Sequence, residues 1–361
     1  HLVDVAVGAT EAPPKAPAPT DANEIELRDA GPEDAEGIAQ LLYENYALSY
    51  VHPDFYRPRW LREALLAGRV LSTVAEHGGE VIAHHALLPV PDAASAETGV
   101  AVVAPAYRGL GIFGQLGERT LARARAAGLH ALYGRAVTVH PYSQRAELAH
   151  GYREAAVCLA GSPGRVQMKG IRTPSEPGRR TALMISFLPL RHEPRPATLP
   201  KRYRDRLLET YEYLGLPAPA PPDKTAAAPR VDVARERDAA AAAISIRGWD
   251  GQLAREAIAQ IRMLLAEHVD VIYADLDLAV TVDPDRAVDA LHEQGFSYAG
   301  LWLHGAGDHD YLRLQRINST QVELDGIATA SPAGQALVDY VLADLERGAA
   351  HRSLGYRPHS P

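Results

Sequence analysis

Between Val102 and Gly114 the chain reads Val-Val-Ala-Pro-Ala-Tyr-Arg-Gly-Leu-Gly-Ile-Phe-Gly. Three glycines in this run, Gly109, Gly111 and Gly114, let the backbone adopt positive φ and approach a ligand closely. They fall between an apolar strand, Thr98 to Val103, and a helix expected from Ile112 to Ala127. A helix N-terminus offers unpaired N–H groups and a dipole that favours anions. Arg108 adds a positive charge beside it. The chemistry this arrangement supports is the cradling of a pyrophosphate.

Gly109-x-Gly111-x-x-Gly114 also satisfies the spacing of a dinucleotide fingerprint. That fingerprint places its first glycine directly after the strand and an acid about 20 residues on. Here Pro105 to Arg108 intervene, and the next strand runs out at His140 without an acid. The context therefore disfavours a nicotinamide-dependent oxidoreductase.

The same residues resemble the acyl-CoA loop of the GNAT N-acetyltransferase superfamily, whose pattern is Gln/Arg-x-x-Gly-x-Gly/Ala. Arg108, Gly109 and Gly111 match it, and Phe113 stands in the last small position with Gly114 just behind. The resemblance covers Glu24 to about Leu188 and is closest to a bacterial branch of the superfamily. It implies acetyl-CoA as co-substrate. Val100, Val102 and Val103 would pair through main chain with the pantetheine arm, and the amides from Gly109 through Ile112 and Phe113 to Gly114 would hold the pyrophosphate. Gly151-Tyr152 resembles the Gly-Phe that closes the superfamily's fourth helix. Counting back, His140 stands where a CoA-contacting Asn is common, with Ser143 nearby on the cofactor side. Glu147 stands where many members carry a tyrosine as general acid, so that tyrosine is missing.

The reaction so implied is attack of an amine on an acetyl thioester. It needs a base for the amine, an N–H for the carbonyl and an acid for the leaving thiolate. Glu97, at the start of the CoA-facing strand, is the candidate base. His140 and Tyr142 are the other candidate catalytic residues. His84 and His85, adjacent on a strand, must point to opposite faces; imidazole suits a base near neutral pH, but a packed or exposed histidine is the favoured reading of either. The missing tyrosine leaves open a second function, a non-catalytic acyl-CoA sensor or interaction module. His304, Asp308, His309 and Asp310 are metal-ligand types, but they fall in a Gly-rich turn where polar residues are expected, and no metal site is assigned. Ser143 and His140 lack an Asp partner and a strand–Ser–helix elbow, so a hydrolase triad is not expected.

The elements that must position these residues follow from periodicity. Strands are expected at 24–28, 70–76, 81–88, 98–103, 129–137, 155–159 and 184–188. Helices are expected from Gly31 to Tyr46, over 53–67, 112–127 and 143–150. The order predicts an α/β (α+β) fold, a GNAT-like mixed and mostly antiparallel sheet flanked by helices. Residues 231–361 repeat part of that order: strands at 244–247, 269–280, 298–303 and 311–317, with helices at 252–267, 283–294 and 332–346. Gly248-Trp249-Asp250-Gly251 replaces the glycine loop, and Asp250 would repel a phosphate. A second, degenerate GNAT-like domain without its own cofactor is therefore expected.

The full division reads as a Pro/Ala-rich linker (1–22), an acyl-CoA-binding domain (23–190), a Pro-rich connector with one helix at 201–214 (191–230), and the degenerate domain (231–361). The linker-like start suggests an upstream fused domain. A composition of 47% hydrophobic and 23% charged residues is that of a globular protein, and 361 residues suit two domains. The net charge of −8 argues against nucleic acid as partner. No apolar run is long enough to span a bilayer, so no membrane partner is expected. The acceptor is expected to be a small-molecule or protein amine. Cys158 is the single cysteine; between Val157 and Leu159 it reads as a buried strand residue. A reducing, cytoplasmic setting fits these features.

Overall fold

A computed structural model describes residues 25–164, 178–222, 229–236, 240–319 and 321–355. The expected linker at 1–22 and half of the segment from Ala218 to Pro229, residues 223–228, lie outside the described residues. The fold is mixed α/β, with helices flanking mostly antiparallel strands. By contacts the described chain divides into two compact units, the first of residues 25–91 and 96–132, the second of 92–95 and 133 onward.

In the first unit, β1 (Glu26–Asp29) is followed by α1 (Ala35–Tyr46) and α2 (Pro58–Leu66). β2 (Leu71–His77), β3 (Glu80–Pro89) and β4 (Ser95–Val103) come next, then α3 (Ile112–Ala126). The strands pair in the order β1-β2-β3-β4, all antiparallel. β2 and β3 join through Gly78 (φ 59°) and Gly79 (φ 84°), the two positive values a tight hairpin of matching twist demands. α1 buries Ala35, Ile38, Leu41 and Leu42 at helical spacing. They pack with Phe55, Leu61, Val74 and Leu116 in one apolar core. Buried Asp34 fixes β1 to this core. It takes two hydrogen bonds of 2.7 Å from the Arg28 guanidinium, which also reaches Glu76 at 2.6 Å.

The expected single helix over 53–67 is instead a 3-10 turn, Pro53–Tyr56, followed by α2. Arg57 between them is extended (φ −111°, ψ 94°), because the ring of Pro58 disfavours helical backbone in the residue before it.

The second unit contains β5 (Ala131–Val137) from Tyr133 onward, α4 (Tyr142–Ala149), β6 (Arg153–Ser162), β7 (Thr181–Pro189) and α5 (Arg204–Tyr213). There follow β8 (Arg230–Glu236), β9 (Ala241–Arg247), α6 (Gly251–Ala266), β10 (Val271–Asp277) and α7 (Pro284–Glu293). β11 (Ser297–Trp302), β12 (Tyr311–Ile317) and α8 (Pro332–Gly355) complete it. The strand order is β5-β7-β6-β11-β12-β10-β9-β8. β8 was not foreseen. Its alternation, Val231 and Val233 half-buried between exposed charges, is that of an edge strand pairing only with β9. β10 is shorter than the expected 269–280 because Asp277 turns the chain, its carboxylate accepting the N–H groups of Ala279 (2.9 Å) and Val280 (3.3 Å).

Within this unit the spatial order β5-β7-β6 recurs as β10-β12-β11, and the two triplets meet at the antiparallel β6–β11 join. β5 (Ala-Leu-Tyr-Gly-Arg-Ala-Val) and β10 (Val-Ile-Tyr-Ala-Asp-Leu-Asp) carry tyrosine at the same register. The Gly151-Tyr152 pair before β6 recurs as Gly295-Phe296 before β11. Counting from those pairs, Ala156 corresponds to Gly300, and Ala156 and Gly300 are the residues that pair across the join. A residue facing its own counterpart is the signature of a local two-fold relation. Gln315, fully buried on β12, reinforces the join. Its Oε1 accepts Leu159 N–H at 2.9 Å, and its Nε2 donates to Val157 O at 3.1 Å and Tyr298 O at 3.2 Å.

Candidate functional site

The glycine loop forms as the sequence suggests. After β4, Pro105–Tyr107 make one 3-10 turn, Arg108 is extended, and Gly109 (φ 84°) and Gly111 (φ 75°) take left-handed backbone. Gly111 is the N-cap of α3, and it supplies no side-chain cap. The first turn of α3 also contains no acid, so nothing on the helix itself neutralises the positive end of its dipole. A Cβ built on Gly109, Gly111 or Gly114 would meet no atom within 4 Å. The backbone requires glycine at the first two positions. At Gly114, inside α3, neither backbone nor packing does. The space where side chains would stand at these three residues is therefore open.

The loop is held from below. Tyr107 is buried, and its hydroxyl meets His77 Nδ1 at 3.0 Å. Arg108 is exposed, but its guanidinium donates to Asn45 Oδ1 at 2.7 Å and to Val103 O at 3.3 Å, tying the loop to α1. Ile112 is buried. Phe113 turns its ring toward His85 (centroids 5.8 Å apart). α3 is registered on the strands by a buried polar trio. Thr120 Oγ1 lies 3.1 Å from both Thr73 Oγ1 and His85 Nδ1, and Thr73 donates to His85 O.

β4 carries the second feature. Ala86 pairs with Gly99 and His84 with Val102, so Val100 and Ala101 together face His85, a β-bulge. Val100 has φ 51°, a real outlier for a β-branched residue. Its N–H donates to Tyr50 Oη at 3.0 Å, and its C=O accepts from His84 Nδ1 at 2.7 Å. Both main-chain groups expected to meet a pantetheine arm at Val100 thus have partners within the unit. Val102 is buried and Val103 half-buried on the strand beyond.

His84 is itself fully enclosed, and its Nε2 lies 2.8 Å from Ser72 Oγ. Since a carbonyl only accepts, Nδ1 carries the proton, and Nε2 receives the Ser72 hydroxyl hydrogen. Burial pushes the imidazole down to about 4 from its ordinary 6.5, outweighing the Val100 carbonyl and Asp34, which favour the charged form. The unfolded chain therefore binds this proton more readily than the folded one. Stability should be complete above pH 6.5 and fall by about 3 kcal/mol as the pH drops through 6.5 to 4. Denaturant titrations at pH 7 and pH 4.5 should show this slope in the wild type and a reduced one in His84→Gln. His84 and His85, both considered as bases, are occupied in the interior.

Glu97 stands three residues before the bulge, its side chain 13% exposed, with His52 Nε2 3.6 Å from its Oε1. His52 lies beside Tyr50 and Phe55 (centroids 5.8 and 6.3 Å), and Tyr50 beside Tyr46 (4.7 Å). The pairings of Tyr50 with Val100 and of His52 with Glu97 span tens of residues and carried no local sequence signal.

The remaining candidates belong to the second unit. His140 precedes α4 with its ring 4.9 Å from that of Tyr142, and burial lowers its pKa. Tyr142 and Ser143 are exposed in the first turn of α4. Gln144 anchors that turn, donating to Val137 O (3.1 Å) and Ala328 O (2.9 Å). Glu147 packs onto β5 over Gly134, where any Cβ would collide with its carboxylate. In the turn 303–310, His304 Nδ1 meets Asp308 at 2.5 Å, and Asp310 accepts from Arg195 Nε and Tyr211 Oη, each at 2.8 Å. His309 Nδ1 meets Asp277 at 2.9 Å. These polar residues bind one another and their neighbours. Cys158 is buried on β6.

Helix α6 begins differently from α3. Its N-cap Asp250 accepts from Gln252 N (2.7 Å) and Leu253 N (2.9 Å). A carboxylate of the chain thus caps α6, whereas the N-cap of α3 supplies no side chain.

Three comparisons bear on these features. An N-acetyltransferase from Staphylococcus aureus Mu50 is 16% identical, over 46% of this chain and 99% of its own, with a TM-score of 0.39. A Salmonella typhimurium protein solved with its cofactor acetyl-CoA is 20% identical, over 48% and 99%, with a TM-score of 0.37. The ribosomal-protein-S18-alanine N-acetyltransferase of Escherichia coli is 15% identical, over 48% and 99%, with a TM-score of 0.38. No curated protein matches the chain. The acetyltransferase (GNAT) family model matches residues 35–148, from the start of α1 to the end of α4. Over residues 35–148 the chain therefore carries a domain of the acetyltransferase (GNAT) family.

Proposed function

We propose that the chain is an N-acetyltransferase that moves an acetyl group from acetyl-CoA to an amine. The observation that carries this reading is the loop from Gly109 to Gly114. It ends on an uncapped helix and includes a helical glycine for which the protein's own packing gives no reason. The amides of this loop and the α3 dipole hold the pyrophosphate. Main chain of Val102 and Val103 guides the pantetheine arm along β4. Glu97, held beside His52, accepts the proton of the attacking amine. A small-molecule or protein amine is the acceptor, and polyamines and peptides with free N-termini are the first to screen.

Residues 231–361 are read as a degenerate second copy, on the strength of the recurring strand order and the self-paired Ala156–Gly300 join. Asp250 occupies its anion position, so one cofactor is expected per chain.

A second reading, an acyl-CoA sensor without turnover, is favoured by Glu147, which lies over Gly134 where a tyrosine acid would stand in many relatives. Calorimetry with acetyl-CoA tests the cofactor site. Binding in the micromolar range should be abolished in Arg108→Glu combined with Gly111→Trp, which reverses the loop's charge and fills its cradle. Absence of binding to the wild type would sink both readings. Binding without thiol release across the amine panel would favour the sensor.

A further inference from the structure

We propose that the Tyr50 hydroxyl, seated on the Val100 amide, is the group that hands a proton to the departing CoA sulfur; this rests on the acyl-CoA reading above.

The geometry at the bulge leads there. Tyr50 Oη accepts the Val100 N–H at 3.0 Å. A phenol oxygen that accepts one hydrogen bond directs its own O–H elsewhere, and the accepted bond polarises it as a donor. The residue beneath it is strained. Val100 has φ 51°, with its N–H donated to Tyr50 and its C=O accepting from His84. Strain of this kind is retained where surrounding groups over-determine it, and it gathers at reacting centres.

Order along β4 supplies the second argument. The phosphate cradle begins just past Val103. An arm running back along the strand passes Val103 and Val102 and reaches Val100 about 10 Å on, at roughly 3.3 Å per residue. The thioester therefore arrives where Tyr50 stands, and Glu97 lies three residues further, on the side from which an amine would come. Position 147 cannot donate as a phenol, since it is a glutamate laid over Gly134.

The step then balances. The amine nitrogen bonds to the acetyl carbon and loses a proton to Glu97. The carbon–sulfur bond breaks with its electron pair passing to sulfur, and the Tyr50 proton moves to that sulfur. The phenolate recovers a proton from solvent as CoA leaves. Burial raises the Tyr50 phenol well above its ordinary value, with Tyr46, Glu97 and Tyr56 adding to the effect and the Val100 N–H opposing it. His52 is the other titratable group at its ring. The phenol accordingly holds its proton through the neutral range.

The test needs no acceptor. CoA itself is bound, and its thiol is titrated by thiolate ultraviolet absorbance on the wild type, on Tyr50→Phe and on protein carrying a ring-fluorinated tyrosine at position 50. A donor to the sulfur stabilises the thiolate, so the bound thiol should titrate about one unit, a tenfold shift, lower in the wild type than in Tyr50→Phe. The fluorinated phenol, a stronger donor of the same shape, should lower it further and stands in should Tyr50→Phe fail to fold. Equal titration in all folded forms that bind CoA would overturn the proposal and leave the cofactor reading intact. Failure of the wild type to bind CoA would overturn the cofactor reading and this one with it.

Discussion

Gly114→Leu is expected to raise the melting temperature while reducing acetyl-CoA affinity by 100-fold or more, on the order of 3 kcal/mol. Gly114 lies in the first turn of α3 with ordinary helical backbone, and a Cβ there meets nothing within 4 Å. A glycine at such a position costs about 1 kcal/mol against a good helix former, chiefly in backbone entropy. Leucine removes that cost, which corresponds to roughly 1–2 °C in a chain of this size. The same side chain projects into the space over the loop and excludes a pyrophosphate from the helix N-terminus. Scanning calorimetry and acetyl-CoA titration of one preparation would separate the effects. A variant that is more stable and still binds acetyl-CoA would remove the loop from the cofactor site.

The largest loss of stability is expected in the second unit, in Gly300→Ala. Gly300 has φ 151°, backbone that side chains rarely adopt. Its missing Cβ would collide with the main chain of Ala155 and Ala156 on β6. Neither obstacle is a flexible side chain, so relief requires the β6 and β11 backbones to part. Strain and overpacking should together cost about 3 kcal/mol or more, and parting the strands would also strain the three hydrogen bonds of Gln315. Chemical denaturation should reveal a large drop in midpoint. Acetyl-CoA affinity measured well below the transition should stay near the wild-type value, because the glycine loop belongs to the other unit. A midpoint within 0.5 kcal/mol of wild type would contradict this account of the join.

What was legible in the sequence had local causes. Gly109 and Gly111 announce left-handed backbone by residue type alone, and they have it. Apolar spacing located α1 and α3, and the sheet-facing runs located β2 to β7 to within a few residues. Local rules also explain two departures. Pro58 divides the expected helix over 53–67, and Asp277 shortens β10 through its own side chain. The reacting end of the candidate site was illegible because its bonds join distant positions. Tyr50 meets Val100 and His84 meets Ser72 only after the strands pair, and a valine at a bulge gives no sign of positive φ. Gln315 likewise looks like a surface residue in a strand of charges, and only the join of β6 to β11 gives its amide three main-chain partners.

That join also bears on how the chain can be divided or assembled. A strand at the border of a sheet presents a row of donors and acceptors that invites pairing with another molecule. β6 spends its free border on β11 within the same polypeptide. A fragment ending before β8 would lay that border bare, along with the buried main-chain groups of Val157 and Leu159 that Gln315 satisfies. Such a fragment should self-associate through β6, and a separately supplied C-terminal fragment should compete for the same border and suppress that self-association.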